Sequence, residues 1–371
     1  MQKKIYIVGA HSRARTLAGY LQYLYSDVMI EAYLYENNEK NPSDIRGVKV
    51  VRLDGDKEFH TNYPVYIGTR GVYHKKIIEK LKKYGFINII PVTAEFDLKI
   101  RNEYLRKYYT NIGRKFLKID TLDSVKGDDN FMQAAKAIPN GNISAKIYVV
   151  KSVFDKPMQQ SYKLASYEQE IQAGAALTER RLPGVMLKDN VGDNISDKNR
   201  QFCELTALYW MWKHAKEDIV GLAHYRRHFI MPEDWVEKME AHNVDVILPV
   251  PLCVVPNLEE NYKKRHDPSD WEYMLQCLEE NDPEMSKAAD IFFKGTLYSP
   301  CNMFVMRKEV LGEMCTWLFS ILFKIAEHGG EKEDSYLNRY PGFISERLMT
   351  FFFEERRERY KIIYSDKNFL L

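Results

Sequence analysis

Residues 218–229 read DIVGLAHYRRHF. Branched and small apolar residues from Ile219 to Ala223 make a buried strand, which gives way to His224, Tyr225, Arg226, Arg227 and His228. A packed interior does not accept so many polar and charged side chains in succession, so the cluster marks the carboxyl end of the strand. Ligands of an α/β sheet bind outside the carboxyl ends of its strands. Guanidiniums there suit a diphosphate, because they fork onto its oxygens in pairs and never lose their charge. Strand alternation carried through the cluster puts His224 and Arg226 on one face and Tyr225 and Arg227 on the other, which favours Arg226. Two plainer readings stand beside this one: a solvated basic turn, and a histidine that serves structure rather than acting as an acid or a metal ligand.

The strand-and-helix rhythm extends outward through KIYVVKSVF (146–154) and VDVILPV (244–250). Between them, LKDNVGDNISDKN (187–199) packs Asp189, Asn190, Asp193 and Asn194 around Gly192. Its composition resembles a calcium loop, but the D-x-[DN]-x-[DN]-G spacing and the terminal bidentate Glu are missing. Ser196 or Asp197 is expected to cap one helix, KNRQFCELTALYWMWKHA (198–215), whose Phe202, Leu205, Tyr209 and Trp212 form a core-facing stripe.

Toward the amino terminus, KKIYIVGA (3–10), IEAYLYE (30–36), VKVVRL (48–53), PVYIGT (64–69) and INIIPV (87–92) read as strands with helical runs between them. This predicts a Rossmann-like, doubly wound parallel sheet over residues 1–96. The turn after the first strand keeps only Gly9 of G-x-G-x-x-G and has His11 at the second position, so a dinucleotide site is weakly supported. Residues 97–144 are read as a basic helix from Lys99 to Lys118, suited to an anionic membrane surface, followed by a polar linker; a second α/β domain fills 145–371.

The 371 residues suffice for two such domains, and a net charge of +2 argues against a general nucleic-acid binder. Five cysteines without a CxxC pair suggest neither a disulfide framework nor a zinc ribbon, which fits a reducing cytoplasm. No signal peptide and no apolar run of about 18 residues is apparent. A serine-hydrolase elbow, G-x-S-x-G, is also missing. His266, Asp267 and Asp334 are loop groups open to either a catalytic or a merely solvated role.

Taken in order, YVVKSVFDKPM, IQAGAALT, DNVGDNIS, CELTALYWMWK, GLAHYRRHF, NMFVM and GFISERL resemble a family associated with glycosyl transfer in capsular and exopolysaccharide biosynthesis and named only as a domain of unknown function. The likeness runs over about residues 146–364 and departs at Ala223, where cysteine is common. It implies a GT-A-like fold and a cytoplasmic hexosyltransferase that moves a sugar from a UDP-linked donor to a lipid-linked glycan. By that analogy Lys151 and Ser152 end the nucleotide strand, LAHYRR stands in the D-x-D place, Asn302 meets donor or acceptor, and Glu346 supplies an acid. Arg226, Arg227 and His224 complete the implied catalytic set, while Asp189, Asn190, Asp193, Asn194 and Tyr225 are implied donor contacts. The missing D-x-D carboxylates speak against a metal, so no cofactor is expected. The first 95 residues resemble the nucleotide-sugar-binding domain of bacterial sugar acyltransferases, which implies a ligand near Gly9, His11, Gly68 and Thr69. The competing classes are a non-catalytic nucleotide-sugar-binding module and, more weakly, a nucleotide-sugar oxidoreductase.

Overall fold

In β1 (Lys3–Val8) the side chains alternate between two covered faces, and Ile5, Tyr6, Ile7 and Val8 are all buried. Tyr6 and Val8 join Ala32, Leu34, Val65 and Ile67 from neighbouring strands and Ile77 and Leu81 from a helix in one core. The structure, a computed structural model, describes residues 2–36, 40–55, 58–124 and 143–370. It divides into two compact units, Met1–Phe116 with Cys253–Val255, and Leu117–Leu252 with Pro256–Leu371. Residues 125–142 of the expected linker lie outside the described residues.

The first unit follows β1 with α1 (Ser12–Leu24), β2 (Val28–Tyr35), β3 (Asp44–Ile45), β4 (Val48–Arg52), β5 (Val65–Ile67), α2 (His74–Lys83), β6 (Ile89–Pro91) and α3 (Ala94–Asn111). Its sheet order is β3-β4-β2-β1-β5-β6, parallel except for β3, so the chain changes direction between β1 and β5. α3 starts where the Thr93 side chain accepts from Phe96 N at 3.1 Å, with Glu95 and Asp97 at the positive end of the helix. It packs along α1 through Ile100, Tyr104, Leu105 and Tyr109, and Lys107 Nζ donates to the α1 carbonyls of Tyr23 and Leu24. Of the apolar side chains that the sequence offers to a membrane, Leu105 is buried in this unit, Tyr108 and Phe116 are half-buried and Ile112 is exposed. The helix is also displaced from the expected 99–118, and Lys118 belongs to the second unit, where it donates to Asp366 at 2.6 Å.

The second unit contains β7 (Ala145–Lys151), β8 (Glu168–Gln172), β9 (Leu187–Lys188), α4 (Asn199–Phe202), α5 (Leu205–His214), β10 (Ile219–His224), α6 (Trp235–Ala241) and β11 (Val246–Pro249). After them come α7 (Leu258–Lys263), α8 (Pro268–Asn281), α9 (Pro283–Phe292), β12 (Phe304–Arg307), α10 (Lys308–Gly329), α11 (Tyr340–Glu354) and β13 (Ile362–Ser365). The seven strands run β13-β11-β12-β10-β7-β8-β9, with β12 antiparallel to both neighbours. This is the GT-A-like order, with the first and fourth strands of the unit side by side. One face packs Ile147, Val149, Ile219 and Ala223 against Phe229, Trp235 and Met239.

Gly221 in β10 is a glycine for reasons of packing. A Cβ there would meet Ile147 Cγ1 and Val305 Cγ2 at 2.9 Å and the Phe304 carbonyl oxygen at 3.1 Å. Gly221→Ala is expected to cost about 1–3 kcal/mol by overpacking, read as a lower urea midpoint with an unchanged slope.

The single helix expected over 198–215 is broken. α4 ends at Phe202, Cys203 takes a left-handed φ of 51°, and α5 starts at Leu205. Asn199 Nδ2 holds the break by donating to Cys203 O at 2.6 Å and Thr206 Oγ1 at 2.9 Å. The break sends Glu204 away from the core-facing stripe.

Candidate functional site

β7 and β10 are parallel neighbours, with β8 and β12 on their outer sides, so their carboxyl ends form the switch point at which an open α/β sheet places its ligand crevice. β10 ends at His224, and Arg227 pairs back onto it through an antiparallel bridge with both N–H···O distances at 3.0 Å. Alternation thus stops at His224 and does not place Arg226 on the His224 face. Arg226 Nη2 donates to Lys156 O and Pro157 O at 3.0 and 2.9 Å, holding the segment after β7, while its guanidinium lies over the Tyr225 ring. Arg227 lies 5.3 Å from the Phe369 ring centroid and has no ion-pair partner among the described residues. His228 leaves the crevice altogether: it is buried, with Nδ1 2.7 Å from the buried Glu168 carboxylate and Tyr162 stacked on its ring.

His224 Nε2 meets the Cys301 carbonyl at 2.5 Å. A carbonyl oxygen only accepts, so in the neutral imidazole Nε2 carries the proton and Nδ1 the lone pair. Burial holds the imidazole below its ordinary value; Glu204 opposes this, whereas Arg227 and Arg339 reinforce it. Cys301 and Asn302 themselves have left-handed φ values of 80° and 50°. Cys301 N donates to Glu346 Oε1 at 2.8 Å, and the other Glu346 oxygen is 3.8 Å from Arg347. Burial pushes the Glu346 carboxyl up, partly offset by Arg347. Asn302 is fully engaged: Nδ2 donates to Glu204 Oε1 at 2.8 Å and Gly342 O at 3.0 Å, and Oδ1 accepts from Ser345 Oγ at 2.5 Å.

Three further groups complete the crevice, none of them singled out for a role by sequence reasoning. Glu204 lies 4.0 Å from His224 Nε2. Arg339 directs Nε to Cys203 Sγ at 3.1 Å, and its charge reaches both Glu204 and His224. Asp155 accepts from Ser152 N at 2.7 Å, and burial pushes its carboxyl up to about 6 against the Ser152 hydrogen bond and the pull of Lys151 and Arg226. Asp155 and Glu204 stand inside quoted motifs, YVVKSVFDKPM and CELTALYWMWK, so the motifs were visible while the roles were not.

The other expected contacts are held by protein groups. Lys151 Nζ donates to Glu170 at 2.8 Å, and Ser152 spends its N–H on Asp155. Asp189 is fully buried and accepts from Gly174 N, Ala175 N, Ser196 Oγ and Thr206 Oγ1. Asp193 accepts from Tyr209 OH at 3.1 Å, Asn194 closes back on Gly192 O, and Asn190 is half-buried in the same loop. The expected cap is corrected here as well: neither Ser196 nor Asp197 makes a side-chain capping bond, because the Ser196 hydroxyl is used on Asp189 and Ala176 N.

In the first unit, Gly9, Gly68 and Thr69 meet where β1 and β5 end, and His11 precedes α1 beside them. Gly9 has φ 110°, and a Cβ at Gly68 would sit 3.0 Å from Ala14 Cα, so both glycines are required by the turn's own geometry.

Among the described residues no group of three or more His, Cys, Asp or Glu side chains is arranged to hold a metal ion, and no helix is long and apolar enough to cross a membrane. Residues 146–357 match the model of a family described as a domain of unknown function, DUF4422. Among solved structures, the apo form of WbbM, described as a bifunctional glycosyltransferase, is similar at 27% identity with a TM-score of 0.53. The match covers 61% of this chain and 45% of that one, so it spans less than half of WbbM's length. No curated protein matches the chain.

Proposed function

The chain belongs to the DUF4422 family, and on that premise we propose that it is a glycosyltransferase, moving a hexosyl group from a UDP-linked donor to a hydroxyl of a lipid-linked glycan in capsular or exopolysaccharide assembly. The observation that carries this reading is Arg227, a half-buried guanidinium without an ion-pair partner among the described residues, at the switch point of a GT-A-like sheet. A cation so placed stabilises the charge that develops on a departing diphosphate. His224 and Arg339 line the same crevice. Arg226 acts through the 152–157 segment, and Glu346 through the Cys301 turn. The similarity to WbbM supports transfer chemistry. The Gly9 and Gly68 turn of the first unit is proposed to take a nucleotide sugar, and contact with an anionic membrane belongs to the same proposal.

A divalent cation does not suit the groups present. His224, Tyr225 and Arg226 stand where the analogy places two carboxylates, and His224 Nε2 is committed to a carbonyl. Arg227 beside them would repel a cation. Incubation with UDP-glucose, UDP-galactose and UDP-N-acetylglucosamine is expected to release free sugar slowly from at least one of them, water standing in for the acceptor, with the rate unchanged in EDTA. A binding module or an oxidoreductase would release none. Activity lost in EDTA and restored by Mn²⁺ would refute the metal-independent mechanism.

A further inference from the structure

Resting on the glycosyltransferase reading, we propose that Glu204 is the catalytic base, the group that takes the proton from the attacking hydroxyl. Its Oε1 is fixed by Asn302 Nδ2 at 2.8 Å, whereas Oε2 makes no hydrogen bond among the described residues. The side chain is 13% exposed, so it is held in place and still reachable from the crevice. By contrast, Glu346 has one oxygen on Cys301 N and the other near Arg347.

Glu204 is also where the polar groups of the crevice meet. Its charge acts on His224, Arg339, Asp155, Glu346 and both cysteine thiols, Cys203 and Cys301. The backbone around it supplies an independent argument. Among the described residues, five other than glycine have positive φ: Arg46, Cys203, Asn243, Cys301 and Asn302. Three of these five serve Glu204, one immediately before it and two at the turn that carries its hydrogen-bond partner. Such conformations are costly for a side chain-bearing residue and persist where the surroundings enforce them, most often at functional sites. Here the enforcing bonds are Asn199 to the Cys203 carbonyl and Cys301 N to Glu346.

In the step itself, the acceptor O–H gives its proton to the Glu204 carboxylate while the oxygen's electron pair forms the bond to the sugar's anomeric carbon. The bond from that carbon to the diphosphate oxygen breaks, and its electron pair leaves with the nucleoside diphosphate. Glu204 then returns the proton to water. This is a single displacement, and it inverts the anomeric centre.

The test uses the full chain, the UDP-sugar that the wild type hydrolyses fastest, and azide. Glu204→Gln is expected to lower hydrolysis by about 10²-fold or more, the usual scale of a lost general base, while UDP affinity by calorimetry stays within about twofold of wild type, the scale that separates a chemical from a binding defect. Glu204→Asp should recover part of the rate. Azide attacks without surrendering a proton, so it should restore sugar transfer in Glu204→Gln and yield a glycosyl azide of inverted configuration; a merely structural role would not be rescued in this way. The proposal is overturned if Glu204→Gln keeps about a third or more of the rate, if azide restores nothing, or if a glycosyl group is found bonded to Glu204. Azide rescue of Asp155→Asn with none of Glu204→Gln would move the base to Asp155. If the wild type hydrolyses no UDP-sugar, the functional reading itself fails, and the base assignment fails with it.

Discussion

Arg227→Ala is expected to lower the release of sugar from a UDP-sugar by about 10²-fold, the scale of a removed transition-state donor. The side chain has no carboxylate within ion-pair distance among the described residues, and its charge reaches His224, Cys301 and Glu346 only from farther off. A cation kept in that state gains most when a diphosphate takes on negative charge as the sugar departs. The loss should fall on kcat, because a group worth more in the transition state than in the bound donor changes turnover rather than affinity. Arg227→Lys should recover only part of the rate, since a point charge cannot fork onto two oxygens. Arg226→Ala should behave differently. Its guanidinium is committed to the carbonyls of Lys156 and Pro157, so the defect should appear as a looser segment after β7 and a raised KM. Equal kcat losses in both variants would argue that the two arginines act as one clamp on the diphosphate.

That contrast shows where the sequence was readable and where it was not. The strand at 219–223 and the basic residues closing it are local features, and a run of branched apolar side chains that stops at a charge cluster has few structural solutions. The same holds for β1 and its glycine turn. What happens after His224 depends on a bond to a distant partner. The strand ends because Arg227 pairs back across a turn and the 366–370 segment takes the carbonyls of Arg226 and His228, through Leu370 N and Asn368 N. No spacing within DIVGLAHYRRHF encodes that. Glu204 was hidden for a related reason: CELTALYW has the period of a helix, and only the Asn199 bond to the Cys203 carbonyl turns one helix into two. Asp189 lay in plain view, but its loop composition suggests ligand binding and structure equally well; its four donors, from residues 174 to 206, decide for structure.

Asp189→Ala is accordingly expected to be the most damaging single change to the second unit. The carboxylate is fully buried and accepts at 2.9 Å from Gly174 N, 3.1 Å from Ala175 N, 2.5 Å from Ser196 Oγ and 2.6 Å from Thr206 Oγ1. The two hydroxyls can turn to other acceptors, but the two backbone N–H groups cannot. Each donor left buried without a partner costs about 1–3 kcal/mol. A total of about 4 kcal/mol follows, in the range reserved for broken buried networks. All five tryptophans, Trp210, Trp212, Trp235, Trp271 and Trp317, lie in this unit, so their fluorescence in urea follows its unfolding without a contribution from the first. Asp189→Asn keeps the shape but replaces one acceptor oxygen with a donor that faces other donors, and it should lose at least half as much. Thr206 links the damage to chemistry, because it receives Asn199 and donates to Asp189 beside the break that presents Glu204. Both variants should therefore lose activity even at temperatures where the unit is still folded. A loss of stability below about 1 kcal/mol, within the range of an ordinary single hydrogen bond, would show that the loop finds other acceptors and that Asp189 does not organise the Glu204 turn.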